Sequence, residues 1–253
     1  MKLSKLLLVP FVVLGMMGGA GAQAPRSYAV LSLVGDTLTL QANRHAVGSH
    51  TDSAPKQVLA MDDQLFDQLA LIAARSWIAE KQPGAKAVLM ATQDKGLYRA
   101  QNEMFELPDA HQDDRDYLKS LLKDQGVSHL VLISKFRSNA LVELQNANIG
   151  AGALEGLGFY VDDTLNIRDT ATKDVGRGIM MPYAYVRVRL LDAQTLAVVR
   201  EVTARKSRIM MQPSVESSGM DGFNGLNGTE KAKHIRTVLD DAMAGTLPDL
   251  LAQ

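Results

Sequence analysis

The sequence feature that most constrains the fold is the apolar run at residues 129–136, which predicts a strand. Its centre, Leu130-Val131-Leu132-Ile133, has four apolar residues in succession with no polar residue between them. A strand with one face in water alternates apolar and polar residues, whereas a strand buried on both faces does not. Residues 129–136 are therefore predicted to form a central strand of a layered α/β domain, in a sandwich of two or three layers.

The segments around this strand predict further strands and helices. Apolar residues recur at helical spacing in some segments and alternate, or run without a break, in others. The predicted elements are strands at residues 27–34, 37–41 and 86–92, helices over 62–81 and 113–125, a polar connection over 43–60, and a last helix from Thr229 to Gly245. This order predicts an α/β (α+β) fold, a layered sandwich with a mixed central sheet.

The C-terminal part of the chain predicts a β-hairpin before the final helix. Residues 183–191 alternate, so that Arg187 and Arg189 lie on one face and four apolar residues lie on the other: Ala184, Val186, Val188 and Leu190. Residues 192–195 form the predicted turn, and residues 196–208 return as the partner strand. The apolar face is expected in the core. The arginines are expected on a solvated face or on a basic surface for phosphate or lipid headgroups.

A glycine-rich insertion at residues 138–181 separates the central strand from the hairpin. Structureless segments of this length are usually functional or disordered, and ordering a glycine-rich chain is entropically costly. Four apolar residues lie among the glycines: Leu154, Leu157, Phe159 and Tyr160. We expect these side chains to be buried on a partner, with the insertion mobile in the isolated protein. Arg187 and Arg189 complete the predicted contact surface.

Residues 1–22 have the features of a secretory signal peptide. Two lysines precede the apolar run at residues 6–17, and Ala20 and Ala22 supply the small residues of a cleavage site. The apolar run is shorter than the roughly 20 residues that span a bilayer. Cleavage after Ala22 is favoured over cleavage after Ala24. The mature chain is expected in the periplasm or outside the cell, and not as an integral membrane protein.

Composition narrows the classes of function and the sources of stability. The chain has 27 basic and 28 acidic residues and a net charge of −1, a balance that argues against nucleic acid as a partner. It has no cysteine, so neither a disulfide nor a lipid-bearing cysteine is available. No proline-rich or charged linker divides residues 23–253, which are predicted to form a single domain.

One short motif suggests enzymatic chemistry. Gly35-Asp36-Thr37-Leu38-Thr39 follows an apolar strand and resembles the GDSLT start of the SGNH hydrolases, in which a serine at the third position is the nucleophile. Thr37 occupies that position here, and the residues after it alternate as in a strand. The resemblance implies a periplasmic ester hydrolase centred on Asp36 and Thr37, with His45 or His50. The other interpretation of the motif is a β-turn.

The remaining candidate ligands do not form a recognisable site. The five histidines show no HxH or HExxH spacing: His45, His50, His111, His129 and His234. The sequence therefore predicts no metal and no cofactor. Outside the Asp36/Thr37 alternative it predicts no catalytic residue.

The order of elements resembles the periplasmic α/β modules of the CsgG and TolB N-terminal type. The resemblance is carried by the buried strand at residues 130–133, which follows a helix exit at Gly126, and by the hairpin at residues 188–198. Leu196 stands where those modules often have a glycine, and the lipid-bearing cysteine of CsgG is missing. The resemblance implies a role in envelope assembly, secretion or scaffolding and implies no enzymatic residues.

Two hypotheses follow from the sequence. The leading hypothesis is an exported, non-catalytic binding or envelope-assembly module of the periplasm. It would contact an envelope protein, or a second copy of itself, through the glycine-rich insertion. The alternative is the ester hydrolase centred on Asp36 and Thr37.

Overall fold

The computed structural model describes residues 26–43, 56–61, 63–144, 147–149, 152–168, 175–211 and 219–252. The strands are β1 (Ser27–Ser32), β2 (Thr37–Asn43), β3 (Lys56–Ala60), β4 (Lys86–Met90), β5 (His129–Lys135), β6 (Arg137–Asn139), β7 (Val142–Leu144), β8 (Ala147–Ile149), β9 (Ala153–Arg168), β10 (Val175–Asp192), β11 (Val198–Ser207) and β12 (Met210–Met211). The helices are α1 (Leu65–Lys81), α2 (Lys95–Ala100), α3 (Glu103–Glu106), α4 (Gln112–Lys123), α5 (Gly219–Gly225) and α6 (Gly228–Leu251), with a 3₁₀ turn at Pro108–His111.

Three parallel strands form one half of the main sheet. β1 lies between β4 and β5, with Val30 opposite Leu89 on one side and Val131 on the other. Val30 and Val131 face the layer that contains α1 and α6, while Leu31 and Leu132 face the layer that contains α2 and α4. β5 is thus buried on both faces, as its unbroken apolar run predicts. The layered α/β fold with a mixed sheet is confirmed.

The long strand β10 joins this parallel half to a mixed half, in which β9 is antiparallel to β10 and parallel to β2. Along one edge of β10, residues 175–185 pair with β9 and residues 186–192 pair with β5. Its other edge pairs with β11 and β12. Beyond β9 the sheet continues through β2 to β3, so the path of strands is β3-β2-β9-β10-β5-β1-β4. Both halves of the sheet therefore share one strand.

The predicted hairpin is β10–β11, and its faces are as predicted. Val188 is fully buried in the core beneath α6, and Arg189 points to the opposite side of the sheet. The turn is held by Asp192 Oδ1, which accepts hydrogen bonds from the backbone of Gln194 and Thr195 and from the Thr195 hydroxyl. Leu196 has φ 57°, in the left-handed region that favours glycine.

The glycine-rich insertion differs from the predicted loop, because most of its described residues lie in β9 and the first half of β10. Its four apolar side chains are 0–2% exposed: Leu154, Leu157, Phe159 and Tyr160. Leu157 and Phe159 pack in the core with α1 and α6, and Leu154 and Tyr160 pack with tyrosines of β10. The expectation that a partner buries these side chains is therefore corrected, since β9 pairs with β2 and β10 and the domain itself buries them.

Several other boundaries differ from the sequence prediction. α1 begins at Leu65, and the segment predicted as a polar connection contains β3. The last helix begins at Gly228 and continues past Gly245 to Leu251. Asn227 caps it, since its side chain accepts from the Glu230 N–H while the Glu230 side chain accepts from the Asn227 N–H. Among the described residues, no helix combines the length and hydropathy needed to span a membrane.

Candidate functional site

A cleft of about 600 Å³ opens at the carboxyl ends of the parallel strands β1 and β4. It is lined by the β1–β2 turn, the end of β3 and the start of α1, and by the segment from β4 into α2: Gly35, Asp36, Thr37, Ala60, Met61, Asp63, Gln64, Asp67, Gln93, Lys95, Tyr98 and Arg99. From β1 the chain passes through β2, β3 and α1 to β4, and it then crosses to β5 on the other side of β1. Ligands of open α/β sheets bind at such a change of direction.

Asp67, in the first turn of α1, organises the floor of this cleft. It is 4% exposed, and its Oδ1 accepts hydrogen bonds from Ser32 Oγ at 2.6 Å and from the backbone N–H groups of Val34 and Gly35 at 2.9 and 3.2 Å. Its Oδ2 accepts from the Tyr98 hydroxyl at 2.6 Å. One carboxylate therefore ties together the end of β1, α1 and α2.

The electrostatics of this floor follow from burial. Burial raises the pKa of Asp67, although the four hydrogen bonds oppose the shift by stabilising the carboxylate. Burial also raises the pKa of Tyr98, and the adjacent Asp67 carboxyl adds to that effect. The raised pKa of Tyr98 favours a hydrogen bond in which Tyr98 keeps its proton and donates it to Asp67.

Gly35 is required by the closeness of Asp67. A Cβ at Gly35 would lie 2.7 Å from Asp67 Oδ2 and 2.9 Å from the Asp67 backbone nitrogen. A larger residue would push α1 away from the β1–β2 turn. The glycine of the Gly35-Asp36-Thr37 motif therefore has a structural explanation.

Asp36 and Thr37 form a second polar group on the cleft wall, together with Lys135 at the end of β5. Lys135 Nζ donates to the Asp36 carboxylate and, at 2.7 Å, to Thr37 Oγ1. The Lys135 side chain is 13% exposed. Its stem passes over Gly156, where a Cβ would lie 3.0 Å from Lys135 Cγ and Cδ. The contacts with Asp36 and Thr37 on one side and with Gly156 of β9 on the other therefore fix the position of the Lys135 ammonium.

Asp36 and Thr37 are the centre of the hydrolase alternative predicted from the sequence. A threonine nucleophile needs a neighbouring base that can accept its proton. Here Lys135 Nζ donates to Thr37 Oγ1, and the Thr37 hydroxyl donates to Asp36 Oδ1 at 3.4 Å. Thr37 also begins a strand, whereas the motif it resembles leads from strand to helix. His45 and His50, the other predicted partners, lie outside the described residues.

The predicted arginines lie away from the cleft and are covered by α3 and by the residues between α2 and α3. Arg189 is 2% exposed, donates to Glu201 Oε2 at 2.7 Å and to Asn102 Oδ1 at 3.2 Å, and lies 4.7 Å from the Phe105 ring centroid. Arg187 is 16% exposed and pairs with Glu106 and Glu201. Burial lowers the pKa of Arg189, and Glu201 opposes that shift. The expectation of a solvated basic face is corrected, because helices cover it.

Most of the cleft was missed by the sequence analysis, although one signal was available. Asp67 lies on the buried face of α1 between apolar neighbours, with Phe66 and Ala70 beside it. A carboxylate on an apolar helix stripe indicates a specific set of hydrogen-bond partners. Tyr98 and Lys135 reach the cleft only through tertiary contacts, and no local pattern indicates them.

Two further features bear on the location of a site. A second cavity of about 660 Å³ lies at the opposite, amino end of β1 and β5, next to Gly126 and Ser128. That end of a parallel sheet is not where ligands of open α/β sheets bind. Within the described part of the chain, no cluster of three or more metal-ligating side chains is present.

No protein-family model matches the chain, and no curated protein matches it significantly. Among solved structures it is similar to a neuraminyllactose-binding hemagglutinin homolog from Helicobacter pylori, at 7% identity and a TM-score of 0.42, over 90% of this chain and 87% of that one. It is also similar to a lipoprotein from Neisseria meningitidis, at 9% identity and a TM-score of 0.30, over 88% and 100%. Neither structure is described as a CsgG or TolB protein.

Proposed function

We propose that the chain is an exported, non-catalytic binding module of the bacterial envelope, and that the cleft is its binding site. The observation that carries the proposal is the cleft floor, where Asp67 accepts four hydrogen bonds from the described residues around it. Buried networks of this kind hold a surface in one conformation. A preformed cleft of about 600 Å³ falls within the size range of small-molecule and peptide sites.

The charges around the cleft support binding more than catalysis. Asp36 forms an ion pair with Lys135, and the Asp67 carboxylate already accepts hydrogen bonds from the groups around it. Lys95 and Arg99 stand exposed on the α2 side, and Asp63 stands exposed near the start of α1. These are groups that can orient a polar ligand, and none of them is paired with a nucleophile.

The proposal keeps a role in partner binding but moves it from the glycine-rich insertion to the cleft. Leu154, Leu157, Phe159 and Tyr160 are packed within the domain, and Arg189 is buried under α3. Using them to bind a partner would require opening the core. The cleft requires no such change.

Fragment binding followed by ¹⁵N–¹H correlation spectra tests the proposal. We expect small polar fragments to shift the amide resonances of Gly35, Thr37 and Tyr98. The amides of Gly126 and Ser128, at the second cavity, serve as the control. Fragments that collect at the second cavity, or that leave the cleft amides unchanged, would refute the assignment of the site.

An ester assay separates binding from hydrolysis. We expect the wild-type chain and Thr37→Ala to release nitrophenol from nitrophenyl esters at the same background rate. A rate for the wild type clearly above that of Thr37→Ala would establish the hydrolase alternative and overturn the proposal.

A further inference from the structure

The strand β3 ends the path of the sheet and is exposed along its whole length. Val58 is 54% exposed and Leu59 is 38% exposed. β3 pairs with β2 on one side, and no other described strand pairs with it. An exposed edge strand with apolar side chains and no proline is a template for pairing with another extended chain.

The register of β3 identifies which backbone groups point away from the sheet. The Met61 N–H donates to the Asp36 carbonyl at 2.8 Å, so this pair exchanges ladder hydrogen bonds. Antiparallel pairs alternate between hydrogen-bonded and non-hydrogen-bonded positions. Val58, opposite Thr39, and Ala60, opposite Thr37, are therefore the positions whose N–H and C=O groups face outward.

The free edge of β3 runs directly into the cleft. Ala60 and Met61, at the end of β3, form part of the cleft wall. Across the cleft, on α2, are Lys95 and Arg99, and neither forms an ion pair with any other described residue. The end of an extended chain that pairs with Val58 and Ala60 therefore lies near Lys95 and Arg99.

We propose that β3 and the cleft together bind one ligand, an extended peptide that ends in a free carboxylate. The proposal rests on the proposed function of the cleft. The peptide adds to the edge as a strand parallel to β3, hydrogen-bonded to the backbone of Val58 and Ala60, and its terminal carboxylate meets Lys95 and Arg99. Strand addition supplies affinity and the charged pocket supplies selection of the chain end.

The charges favour a carboxyl terminus over an amino terminus. The acidic groups of the cleft are Asp36, Asp67 and Asp63. Lys135 neutralises Asp36, and Asp67 is buried beneath its donors. Among the described residues that line the cleft, the exposed charges are two cations, Lys95 and Arg99, and one carboxylate, Asp63.

The test compares two peptides that differ only at the carboxyl end. The probe is a fluorescein-labelled heptapeptide of alternating Thr and Val residues, prepared with a free carboxylate and with a terminal amide. Binding to the mature chain is followed by fluorescence anisotropy. We expect the acid to bind at least about tenfold more tightly than the amide, because the amide loses a charge-assisted contact. Equal binding of the two forms would overturn the proposal.

Two variants locate the peptide on the protein. Val58→Pro removes one outward-facing donor and leaves the β2–β3 ladder intact, and proline is tolerated on edge strands. This variant should lower the affinity for both peptides by about tenfold, without lowering the melting temperature of the protein by more than a few degrees. Lys95→Glu should weaken the binding of the peptide acid only. Lys86 is an exposed lysine at the far end of β4, so Lys86→Glu should weaken the binding of neither form.

The remaining outcomes separate this inference from the proposed function. Fragments that shift the cleft amides while neither peptide binds would refute the peptide ligand and leave the cleft as a site for another ligand. A dimer of the wild-type chain that Val58→Pro dissociates, without peptide binding, would show that a second copy occupies the edge. Either result overturns the inference.

Discussion

Asp67 is the residue on which the geometry of the cleft depends. Asp67→Ala leaves four buried donors without their acceptor: the hydroxyls of Ser32 and Tyr98 and the N–H groups of Val34 and Gly35. We expect the free energy of unfolding to fall by roughly 3–5 kcal/mol. Asp63→Ala, an exposed carboxylate in the same segment, should change it by less than about 0.5 kcal/mol. Urea unfolding of the two variants measures the difference, and equal effects would contradict this role of Asp67.

The raised pKa of Asp67 also predicts a pH dependence. Because the folded-state pKa lies above the ordinary value of 3.8, its contribution to stability is fully present below pH 3.8 and declines as pH rises through the folded pKa. Asp67→Asn does not titrate. The stability of the wild type relative to Asp67→Asn should therefore be greatest in acid and fall to a plateau as pH rises. Urea unfolding at a series of pH values tests this, and a constant difference would show that burial does not raise the pKa.

Arg189 is expected to contribute to stability rather than to recognition. Arg189→Ala removes a partner of Glu201 and of Asn102 and exposes the ring of Phe105. We expect a loss of about 2 kcal/mol, less than for a fully buried ion pair, since the Glu201 side chain is 36% exposed. Thermal unfolding checks this against Arg205→Ala, an exposed arginine of β11 that should have little effect. Equal melting temperatures would restore the prediction of a solvated face.

The arginines show what a strand pattern can and cannot predict. The alternation of β10 correctly places Val188 in the core and Arg189 on the other face. It does not show what lies over that second face. The cover comes from Asn102 and Phe105, about 85 residues earlier in the chain, and only the tertiary fold brings them there.

At the scale of elements, the glycines of β9 allow close approach rather than flexibility. A Cβ at Gly158 would lie 2.0 Å from the Thr39 carbonyl oxygen and 2.7 Å from the Tyr183 hydroxyl. Gly158→Ala must therefore separate β9 from β2, and we expect a loss of about 3 kcal/mol or failure to fold. Gly225→Ala, at the end of α5 with no atom within 4 Å of the added Cβ, should be neutral or slightly stabilising. Comparison of the two melting temperatures tests this, and a tolerated Gly158→Ala would indicate a mobile segment after all.

The same glycines explain why β9 was predicted as a loop. Glycine is depleted in strands and common in turns, so a glycine-rich stretch favours a loop prediction. A period of two was nevertheless present, since Leu157, Phe159 and Val161 all face one core cluster and Tyr160 faces another. The alternation was the stronger signal, because it reflects burial on two faces.

At the scale of the whole molecule, the sequence was sufficient for the fold class and insufficient for the sheet path. The apolar run of β5 and the hairpin predict a layered α/β fold with a mixed sheet, and the structure has one, with helices on both faces of the sheet. The pairing of β2 with β9 is not encoded in either strand alone. It depends on Gly158, whose missing side chain makes room for β2. The cleft, formed between β1, β3 and α2, was unpredictable for the same reason.

Export is the prediction that concerns the whole chain. If residues 1–22 are removed on secretion, the mature protein begins at Gln23, because Ala20 and Ala22 fit the requirement for small residues before the cut. Mass spectrometry of material from a periplasmic extract gives the N-terminus directly. A chain that retains Met1 in that extract, or that is found only in the cytoplasm, would contradict both the cleavage and the proposed envelope role.

Two pairings of the first strands, β1 with β5 and β2 with β9, form late in synthesis. Ser27 hydrogen-bonds with Ser128, 101 residues further along the chain, and Asn43 hydrogen-bonds with Asp162, 119 residues further along. Contacts between residues so far apart close large loops and fold slowly. While the ribosome is still producing the second half, β1 can pair with β4 and β2 with β3, but β9 and β10 are not yet made. If the chain is exported as proposed, this delay keeps it unfolded for longer, which is the state that a secretion channel threads.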